Sequence, residues 1–398
     1  MKYVVLLCDG MSDLPCPELG GKTPMTAAKK PNMDKLSAVS EIGLAKTVPD
    51  GLPPGSDVAN LSVLGYNPAE YYTGRSPLEA ASIGVDMKPT DVALRCNLVA
   101  LSGGGDFRDC EMSSYCANDI KTDEAREIIR FIDEKLGSER FRFYPGVSYR
   151  HCLIWDKGTL DIGVLTPPHD VTGQKIADRL NVNGNGRELV SLMERSYELL
   201  KGKGRSANSI WLWGEGRRAK LPSFKGKYGL NAVMVSAVDL LKGIAVTAGM
   251  EVIPIEGATG YIDTNFAGKA KAAVDALKNG ADLAYIHMEA PDECGHRGET
   301  SNKTRSIELI DELVLAPILR AFGDGGGLSA ERLKILVTPD HPTPLSLKTH
   351  TRAPVPFMIY DSENAAGGAK VFGEDGAAKT GVYIENGHEL MGRFICRN

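Results

Sequence analysis

Short runs of apolar residues recur along the chain, and each is followed within three residues by a glycine or an acidic residue. The runs occupy residues 3–7, 210–213, 284–288 and 335–337. Between them, apolar positions recur with a helical period at residues 187–200, 267–278 and 303–321. Continuous apolar runs are typical of strands covered on both faces, and strands alternating with helices predict α/β layering. We therefore predict an α/β core, a mostly parallel sheet with helices on both faces.

The stretch from residue 86 to 186 has a different pattern. Residues 91–100 and 147–155 alternate in the way of strands with one open face, and one helix is predicted at residues 123–136. A chain of 398 residues is too long for one ordinary hydrophobic core. We therefore predict a core domain of residues 1–85 and 187–398, with a smaller α+β domain of residues 86–186 inserted into it.

Composition narrows the class of protein. A net charge of −5 argues against a nucleic-acid partner, and no apolar run is long enough for a transmembrane helix. The first residues are predicted to form a strand and not a signal peptide. The eight cysteines include no C-x-x-C pair, which favours reduced thiols. We expect a cytoplasmic enzyme without a membrane partner, and the sequence leaves open whether it forms a homo-oligomer.

Acidic residues and histidines follow three of the apolar runs. Asp9 comes after the first run, residues 289–296 after the third, and Asp340 with His341 after the fourth. In open α/β sheets, ligands bind at the carboxyl ends of the strands. This placement predicts one shared site.

The same residues form a candidate metal set. Asp292 and His296 are four apart, a spacing that allows both to bind one metal from a turn or a helix start, although the pair alone is a weak signal. With Asp9, Asp340, His341 and His350 the set holds three carboxylates and three imidazoles. This mixture suits Mn, Zn or Fe, whereas Mg and Ca favour oxygen ligands alone. It is large enough for two ions, which together can stabilise an in-line displacement.

Ser56 follows Pro53-Pro54-Gly55 and precedes a predicted helix at residues 58–64. A helix N-terminus favours a negatively charged oxygen or a phosphate. The ordinary alternative is a serine that caps the helix. No Gly-x-Ser-x-Gly elbow or Ser-His-Asp spacing is present, so metal coordination is the remaining way to activate Ser56 as a nucleophile.

Several segments together resemble the alkaline-phosphatase superfamily, and more narrowly the archaeal-type cofactor-independent phosphoglycerate mutases. They are Asp9-Gly10, the run 55–60 (GSDVAN), the run 73–84, the run 211–216, the run 287–296 (HMEAPDECGH), the run 338–341 (TPDH) and His350. The resemblance implies a phosphatase-like core with an inserted substrate domain and a Ser56 that becomes phosphorylated. It also implies one metal held by Asp292, His296 and His350, and another held by Asp9, Asp340, His341 and Ser56.

The implied reaction interconverts 3- and 2-phosphoglycerate without 2,3-bisphosphoglycerate. Two divalent ions are expected, with Mn2+ first and Zn2+, Mg2+ or Co2+ as alternatives. The substrate is a small phosphorylated acid, so its pocket needs cations, and arginine matches both phosphate and carboxylate. The candidates are Arg75, Arg150, His151, Arg217 and Lys269, with His169 and Asp170 placed to orient a hydroxyl or move a proton. Arg150 and Lys269 are also predicted to act in catalysis; for the others a solvated surface charge is the plainer interpretation.

Three alternatives stay open from the residues. One is a kinase-like phosphotransferase that uses the same core on homoserine. Another is a metal-dependent phosphatase, sulfatase or phosphonate hydrolase, in which water takes the group from Ser56. The third is a protein whose metal ions serve only its folding, although structural zinc sites are usually closed and rich in thiolates.

Overall fold

The computed structural model describes residues 1–103, 105–323 and 332–396. Its internal contacts divide the chain into two compact units, a core unit of Met1–Tyr72 with Lys220–Asn398 and an inserted unit of Thr73–Ala219. Within the described ranges, no helix has the length and apolar character needed to span a membrane.

The core unit is built on one sheet of eight strands. In spatial order they are Glu251–Val252, Ala232–Val235, Leu283–Met288, Lys2–Cys8, Leu333–Thr338, Val355–Asp361, Glu41–Ala45 and Tyr383–Ile384. Neighbouring strands run parallel, except that Val355–Asp361 is antiparallel to both of its neighbours. Lys2–Cys8 lies between Leu283–Met288 and Leu333–Thr338, and all three are almost wholly buried. The predicted α/β class and its strands at residues 3–7, 284–288 and 335–337 are confirmed.

Along the chain, helices alternate with the strands of this sheet. In the core unit they are Pro24–Ala27, Pro31–Ser37, Ser56–Val63, Pro68–Tyr71, Phe224–Tyr228, Asp239–Thr247, Phe266–Lys278, Ala290–Arg297, Thr300–Ile310, Ala316–Phe322, Glu374–Lys379 and Leu390–Cys396. The helix predicted at residues 303–321 is interrupted by a π-helical turn at Asp311–Leu315. Pro317 has no N–H to donate to the carbonyl four residues earlier, which accounts for the break in the α-helical ladder at this point.

The inserted unit has an antiparallel sheet of its own. Val92–Ser102 pairs with Arg150–Trp155 and with Ser209–Arg217. The further strands are Glu111–Ser114, Phe141–Val147, Gly163–Leu165 and Leu180–Val182, and the helices are Ser76–Ser82, Thr122–Leu136 and Arg187–Leu200. Val92–Ser102 is buried along most of its length, so the open face predicted for residues 91–100 was wrong.

Two sequence predictions placed segments in the other unit. The apolar run 210–213 was interpreted as a strand of the parallel core, but it belongs to Ser209–Arg217, which pairs antiparallel with Val92–Ser102. The helix Arg187–Leu200 packs into the inserted unit's hydrophobic core. The inserted unit therefore runs from residue 73 to 219 and not from 86 to 186. A run buried on both faces has the same pattern in either sheet, so periodicity alone could not assign it.

Candidate metal centre and nucleophile

Three parallel strands deliver the acidic residues to one edge of the core sheet. Asp9 follows Lys2–Cys8, Asp340 follows Leu333–Thr338, and the helix Ala290–Arg297 begins just after Leu283–Met288. Because these strands are adjacent and parallel, their carboxyl ends meet at the same edge. The predicted convergence of Asp9, Asp292 and Asp340 follows directly from this topology.

One group of potential metal ligands consists of Asp9, Asp340 and His341, all at most 1% exposed. Their ligand atoms lie within 4.8 Å of one another. His341 Nε2 is 3.3 Å from Asp340 Oδ2 and 3.7 Å from Asp9 Oδ1. The Gly10 amide donates to Asp340 Oδ1 at 3.2 Å, which fixes that carboxylate against the first strand end. We call this group the Asp9 cluster.

A second group consists of Asp292, His296 and His350, with ligand atoms again within 4.8 Å of one another. His296 Nε2 is 3.3 Å from Asp292 Oδ2, and His350 Nε2 is 3.4 Å from Asp292 Oδ1. We call this group the Asp292 cluster. Each group brings together residues that the family resemblance assigned to one metal, and their role as metal ligands stays a prediction.

The ring orientations of His296 and His350, the two partly exposed histidines of the site, suit the binding of a cation. His296 Nδ1 is 3.0 Å from Lys348 O, and His350 Nδ1 is 3.3 Å from Pro54 O. A carbonyl oxygen only accepts, so each Nδ1 carries a proton, and in the neutral ring it is Nε2 that has the lone pair. These two Nε2 atoms are 2.8 Å apart beside the Asp292 carboxylate, and a bound cation would take the place of the ring proton that joins them in its absence.

Asp9 points to the same conclusion. Its Oδ1 is buried and has no hydrogen-bond partner among the described residues. Burial, together with the negative charges of Asp340, Asp292 and Glu289, raises the pKa of Asp9 well above its usual value. A divalent cation would remove that repulsion and satisfy the unpartnered oxygen. The mixture of carboxylates and imidazoles therefore fits metal ions.

In the Asp292 cluster the pKa of the carboxylate is shifted in the opposite direction to that of Asp9. Burial opposes ionisation of Asp292, but hydrogen bonds from His296 and His350 outweigh it and hold the pKa of this carboxyl well below its usual value. The same contact with Asp292 raises the pKa of His296 to about 9. Asp292 is therefore ionised, as a metal ligand must be.

Ser56 lies at the edge of the Asp9 cluster. It is the first residue of the helix Ser56–Val63, and its Oγ is 3.1 Å from His341 Nε2. The N-cap residue is Gly55, so Ser56 is not the helix cap that the plainer interpretation expected. Its hydroxyl is thus directed at a candidate metal ligand.

Asn60, one turn along the same helix, holds this arrangement together. Its Nδ2 donates to Ser56 O and to Asp340 Oδ2, both at 2.9 Å. The Tyr285 hydroxyl donates to Asn60 Oδ1 at 2.7 Å. Sequence reasoning missed Asn60, although its position four residues after Ser56 on a predicted helix was a usable signal.

Behind Asp9 stands a buried support. His287 Nε2 donates to Asp9 Oδ2 at 2.8 Å, and its Nδ1 is 3.1 Å from Ser236 Oγ. Burial, with the nearby charge of Lys269, lowers the pKa of His287 to about 3, so the ring is neutral. Lys269 is fully buried and donates to His287 O at 3.1 Å, and burial lowers its pKa to about 8. A substrate or catalytic role for Lys269 stays a prediction.

In the inserted unit, the candidate substrate residues Arg150 and His169 belong to a set of aromatic and arginine side chains linked by pairwise contacts. Arg95 lies 4.5 Å from the Trp213 ring centroid, His169 lies 5.5 Å from Trp213, and Arg150 lies 5.4 Å from the Tyr149 ring. Tyr115 contacts both His169 and Tyr149. We call this set (Arg95, Tyr115, Tyr149, Arg150, His169 and Trp213) the aromatic–arginine cluster.

Glu79 connects a further candidate, Arg75, to the aromatic–arginine cluster. It accepts from Arg95 Nε and from Arg75 Nε, each at 2.9 Å. Asp170 lies 3.7 Å from His169. Arg95 was missed at the sequence level, because nothing in its surroundings distinguishes it from an arginine on an ordinary strand.

Two predicted substrate residues have structural partners instead. His151 is buried, accepts from the Gly146 amide at 3.0 Å, and burial lowers its pKa to about 3. Arg217 donates to Thr90 O and Gly158 O, at 2.8 and 3.0 Å. Neither belongs to the aromatic–arginine cluster, and their contact with substrate stays a prediction.

A parallel α/β sheet with a serine hydroxyl beside carboxylate–imidazole clusters at its strand ends is typical of metal-dependent phosphotransferases and hydrolases. The family model of 2,3-bisphosphoglycerate-independent phosphoglycerate mutase matches residues 38–204. A probable mutase of this name from Geobacter sulfurreducens is 48% identical over 410 residues, covering 100% of both chains. The mutase of Methanosarcina barkeri is 47% identical over 407 residues, covering 99% of both.

The fold is also known from a solved structure. The cofactor-independent phosphoglycerate mutase of Thermoplasma acidophilum superposes with a TM-score of 0.69 at 23% identity, covering 100% of this chain and 99% of that one. The chain belongs to the 2,3-bisphosphoglycerate-independent phosphoglycerate mutase family, and the resemblance seen in its motifs is confirmed.

Proposed function

We propose that the chain interconverts 3- and 2-phosphoglycerate through a phosphoserine at Ser56. Its family membership supports the reaction, and the relatives' names favour neither a homoserine kinase nor a phosphatase. The observation that carries the residue assignment is the position of Ser56 Oγ, 3.1 Å from His341 Nε2 at the edge of the Asp9 cluster.

The family and the donor set imply the use of metal. We propose two divalent ions, Mn2+ before Zn2+, Mg2+ or Co2+. One would be held by Asp9, Ser56, Asp340 and His341, and the other by Asp292, His296 and His350. Bound there, such ions supply positive charge that favours the alkoxide form of an alcohol and offsets the charge of a transferring phosphoryl group.

The chemistry assigned to the chain's own residues takes two half-reactions. In the first, Ser56 Oγ forms a bond to phosphorus, the bond from phosphorus to the 3-oxygen of glycerate breaks, and that oxygen takes up the proton that Ser56 loses. In the second, the 2-hydroxyl of glycerate loses its proton as its oxygen forms a bond to the same phosphorus, and Ser56 Oγ leaves and takes up that proton. Asn60 keeps the helix start beside Asp340 throughout, which fixes the position of the nucleophile.

Glycerate has to be retained while it exchanges one oxygen for the other. We propose that Arg150 and Arg75 take part in binding its carboxylate, together with Arg95, because fork-shaped guanidinium groups suit that anion. His169 with Asp170 would orient its hydroxyls. Lys269, His151 and Arg217 remain candidates whose present partners are other protein groups.

The test uses 3-phosphoglycerate as the only substrate, with and without added Mn2+. We expect product formation to require the metal, and Ser56→Ala to lower kcat at least about a thousandfold, the scale of losing a nucleophile. Ser62→Ala is the matched control: this serine lies in the same helix, is buried, and its hydroxyl has no partner among the described residues.

Mass spectrometry of quenched turnover should find phosphate on the peptide that holds Ser56. Parallel assays with homoserine and ATP, and for release of inorganic phosphate, separate the kinase and hydrolase alternatives. Wild-type turnover in Ser56→Ala would remove the serine from the mechanism, and turnover on homoserine alone would replace the proposed substrate.

A further inference from the structure

Thr343 is buried at the junction of the two ligand clusters. It is 0% exposed, and its hydroxyl contacts one member of each cluster. Oγ1 forms a short hydrogen bond with Asp292 Oδ1 and lies 3.3 Å from His341 Nδ1. Among the described residues, Asp292 and His341 are the two hydrogen-bond partners of this hydroxyl.

The proton of the Thr343 hydroxyl is donated to Asp292. Asp292 is a carboxylate and only accepts, so the Thr343 hydroxyl donates to it. Nδ1 of His341 must then donate to Thr343 Oγ1, because the hydroxyl has no second proton to give. A neutral imidazole has one N–H, so Nε2 of His341 keeps its lone pair. That lone pair faces Ser56 Oγ at 3.1 Å and Asp340 Oδ2 at 3.3 Å.

The backbone and the methyl group of Thr343 also have close neighbours. Its amide donates to Ser12 O at 3.3 Å, and its carbonyl accepts from the buried Lys303 ammonium at 2.7 Å. Lys303 in turn pairs with Asp13 at 2.7 Å. A Cβ on Gly295 would lie 2.5 Å from Thr343 O and 2.9 Å from its methyl group, so the helix Ala290–Arg297 packs directly on this residue.

We propose that Thr343 is a positioning residue that couples the two metal sites: through one hydroxyl it orients Asp292 and sets the tautomer of His341. The inference rests on the metal set of the proposed function. A group that fixes the tautomer and orientation of a metal-ligating histidine typically contributes about 10- to 100-fold to metal affinity. Here one group would do so for a ligand of each cluster, so its loss should weaken both.

The first test leaves Thr343 unchanged. Nitrogen-15 NMR of the metal-free chain reports which ring nitrogen of His341 carries the proton, and the signal is assigned by its disappearance in His341→Gln. We expect the proton on Nδ1. A proton on Nε2 would overturn the proposal, because Nδ1 could then not donate to Thr343.

The second test measures metal affinity directly. Free Mn2+ is followed by electron paramagnetic resonance as the metal-free chain is titrated. Thr343→Val, which keeps the shape and removes the hydroxyl, should weaken binding about 10- to 100-fold, and Thr343→Ser should restore it. Thr338→Val is the matched control, because Thr338 is also 0% exposed but its hydroxyl contacts only backbone carbonyls.

The Mn2+ titrations distinguish a failure of the proposed metal set from a failure of the role of Thr343 alone. If wild type shows no saturable Mn2+ site, the metal set fails and the role of Thr343 fails with it. If wild type binds Mn2+ and Thr343→Val binds it equally well, only the role of Thr343 fails. If Thr343→Ser loses affinity as Thr343→Val does, the hydroxyl does not suffice to hold the ligands, because serine keeps it, and this result also overturns the proposal.

Discussion

Beside the Asp9 cluster, the backbone passes so close to Asp292 that position 10 has no room for a side chain. Gly10 follows Asp9 directly and has φ of +60°. A Cβ at this position would lie 2.6 Å from both Cα and Oδ1 of Asp292. The chain therefore brings a ligand of each cluster together only because position 10 is glycine.

Gly10→Ala should therefore cost more than backbone strain. Gly20 is the matched control, since its φ is +65° and nothing lies within 4 Å of a Cβ there. We expect Gly20→Ala to lower the free energy of unfolding by about 1–2 kcal/mol and to leave Mn2+ affinity unchanged. Gly10→Ala should lower both, as measured by urea unfolding and Mn2+ titration. Equal effects of the two substitutions would show that the contact with Asp292 is unimportant.

At the scale of elements, the helix Ser56–Val63 and the core sheet are joined by a polar contact. Asn60 is fully buried and links Ser56 on its own helix to Asp340 at a strand end and to Tyr285 within the strand Leu283–Met288. A buried polar group that loses its partner costs about 1–3 kcal/mol. This helix is therefore placed by hydrogen bonds as well as by its apolar residues.

Asn60→Leu should leave the Tyr285 hydroxyl and one oxygen of Asp340 without their present partner. We expect a loss of about 2–5 kcal/mol in the free energy of unfolding, together with a lower kcat, because the nucleophile is no longer held beside Asp340. Tyr285→Phe completes a double-mutant cycle. The double variant should lose less than the sum of the single losses, and strict additivity would contradict a direct Asn60–Tyr285 link.

At the scale of the whole molecule, the chain offers a natural reporter for one of its two units. Its three tryptophans are Trp155, Trp211 and Trp213, and all lie in the inserted unit. Tryptophan fluorescence therefore follows the unfolding of that unit. His151 makes this stability sensitive to pH, because burial and the charge of Arg126 lower its pKa from 6.5 to about 3.

The direction of the pH effect follows from the two states. Between pH 6.5 and about 3 the unfolded chain protonates His151 and the folded unit does not, so stability falls as the pH falls. Relative to His151→Asn, whose side-chain oxygen can still accept from the Gly146 amide, wild type should lose about 1.4 kcal/mol per pH unit in this window. Urea unfolding followed by tryptophan fluorescence measures the stability of wild type and of His151→Asn at each pH. Parallel pH profiles of the two proteins would mean that His151 titrates in the folded unit as it does in the unfolded chain.

Much of the candidate metal centre was predictable, and the reason is local. Asp9, Asp292, Asp340 and His341 each follow a buried strand closely, so a parallel sheet brings them to one edge whatever the rest of the chain does. Ser56 could be singled out as a helix-start serine, but its proposed role as nucleophile rather than cap depended on its neighbours. Asn60 had only its position four residues after Ser56 as a signal and Thr343 had none, because the contacts that make them important are with residues more than fifty positions away.

By itself, the sequence determined the α/β class, the strands that carry the acidic residues and the identity of the candidate ligands, because these depend on periodicity and on short-range order along the chain. Only the tertiary structure decided which sheet receives the run 210–213, where the inserted unit begins and ends, and which nitrogen of each histidine faces the site. Those features depend on which distant groups pack and hydrogen-bond together, and a buried apolar run or a single imidazole has the same pattern in the sequence whatever its partner.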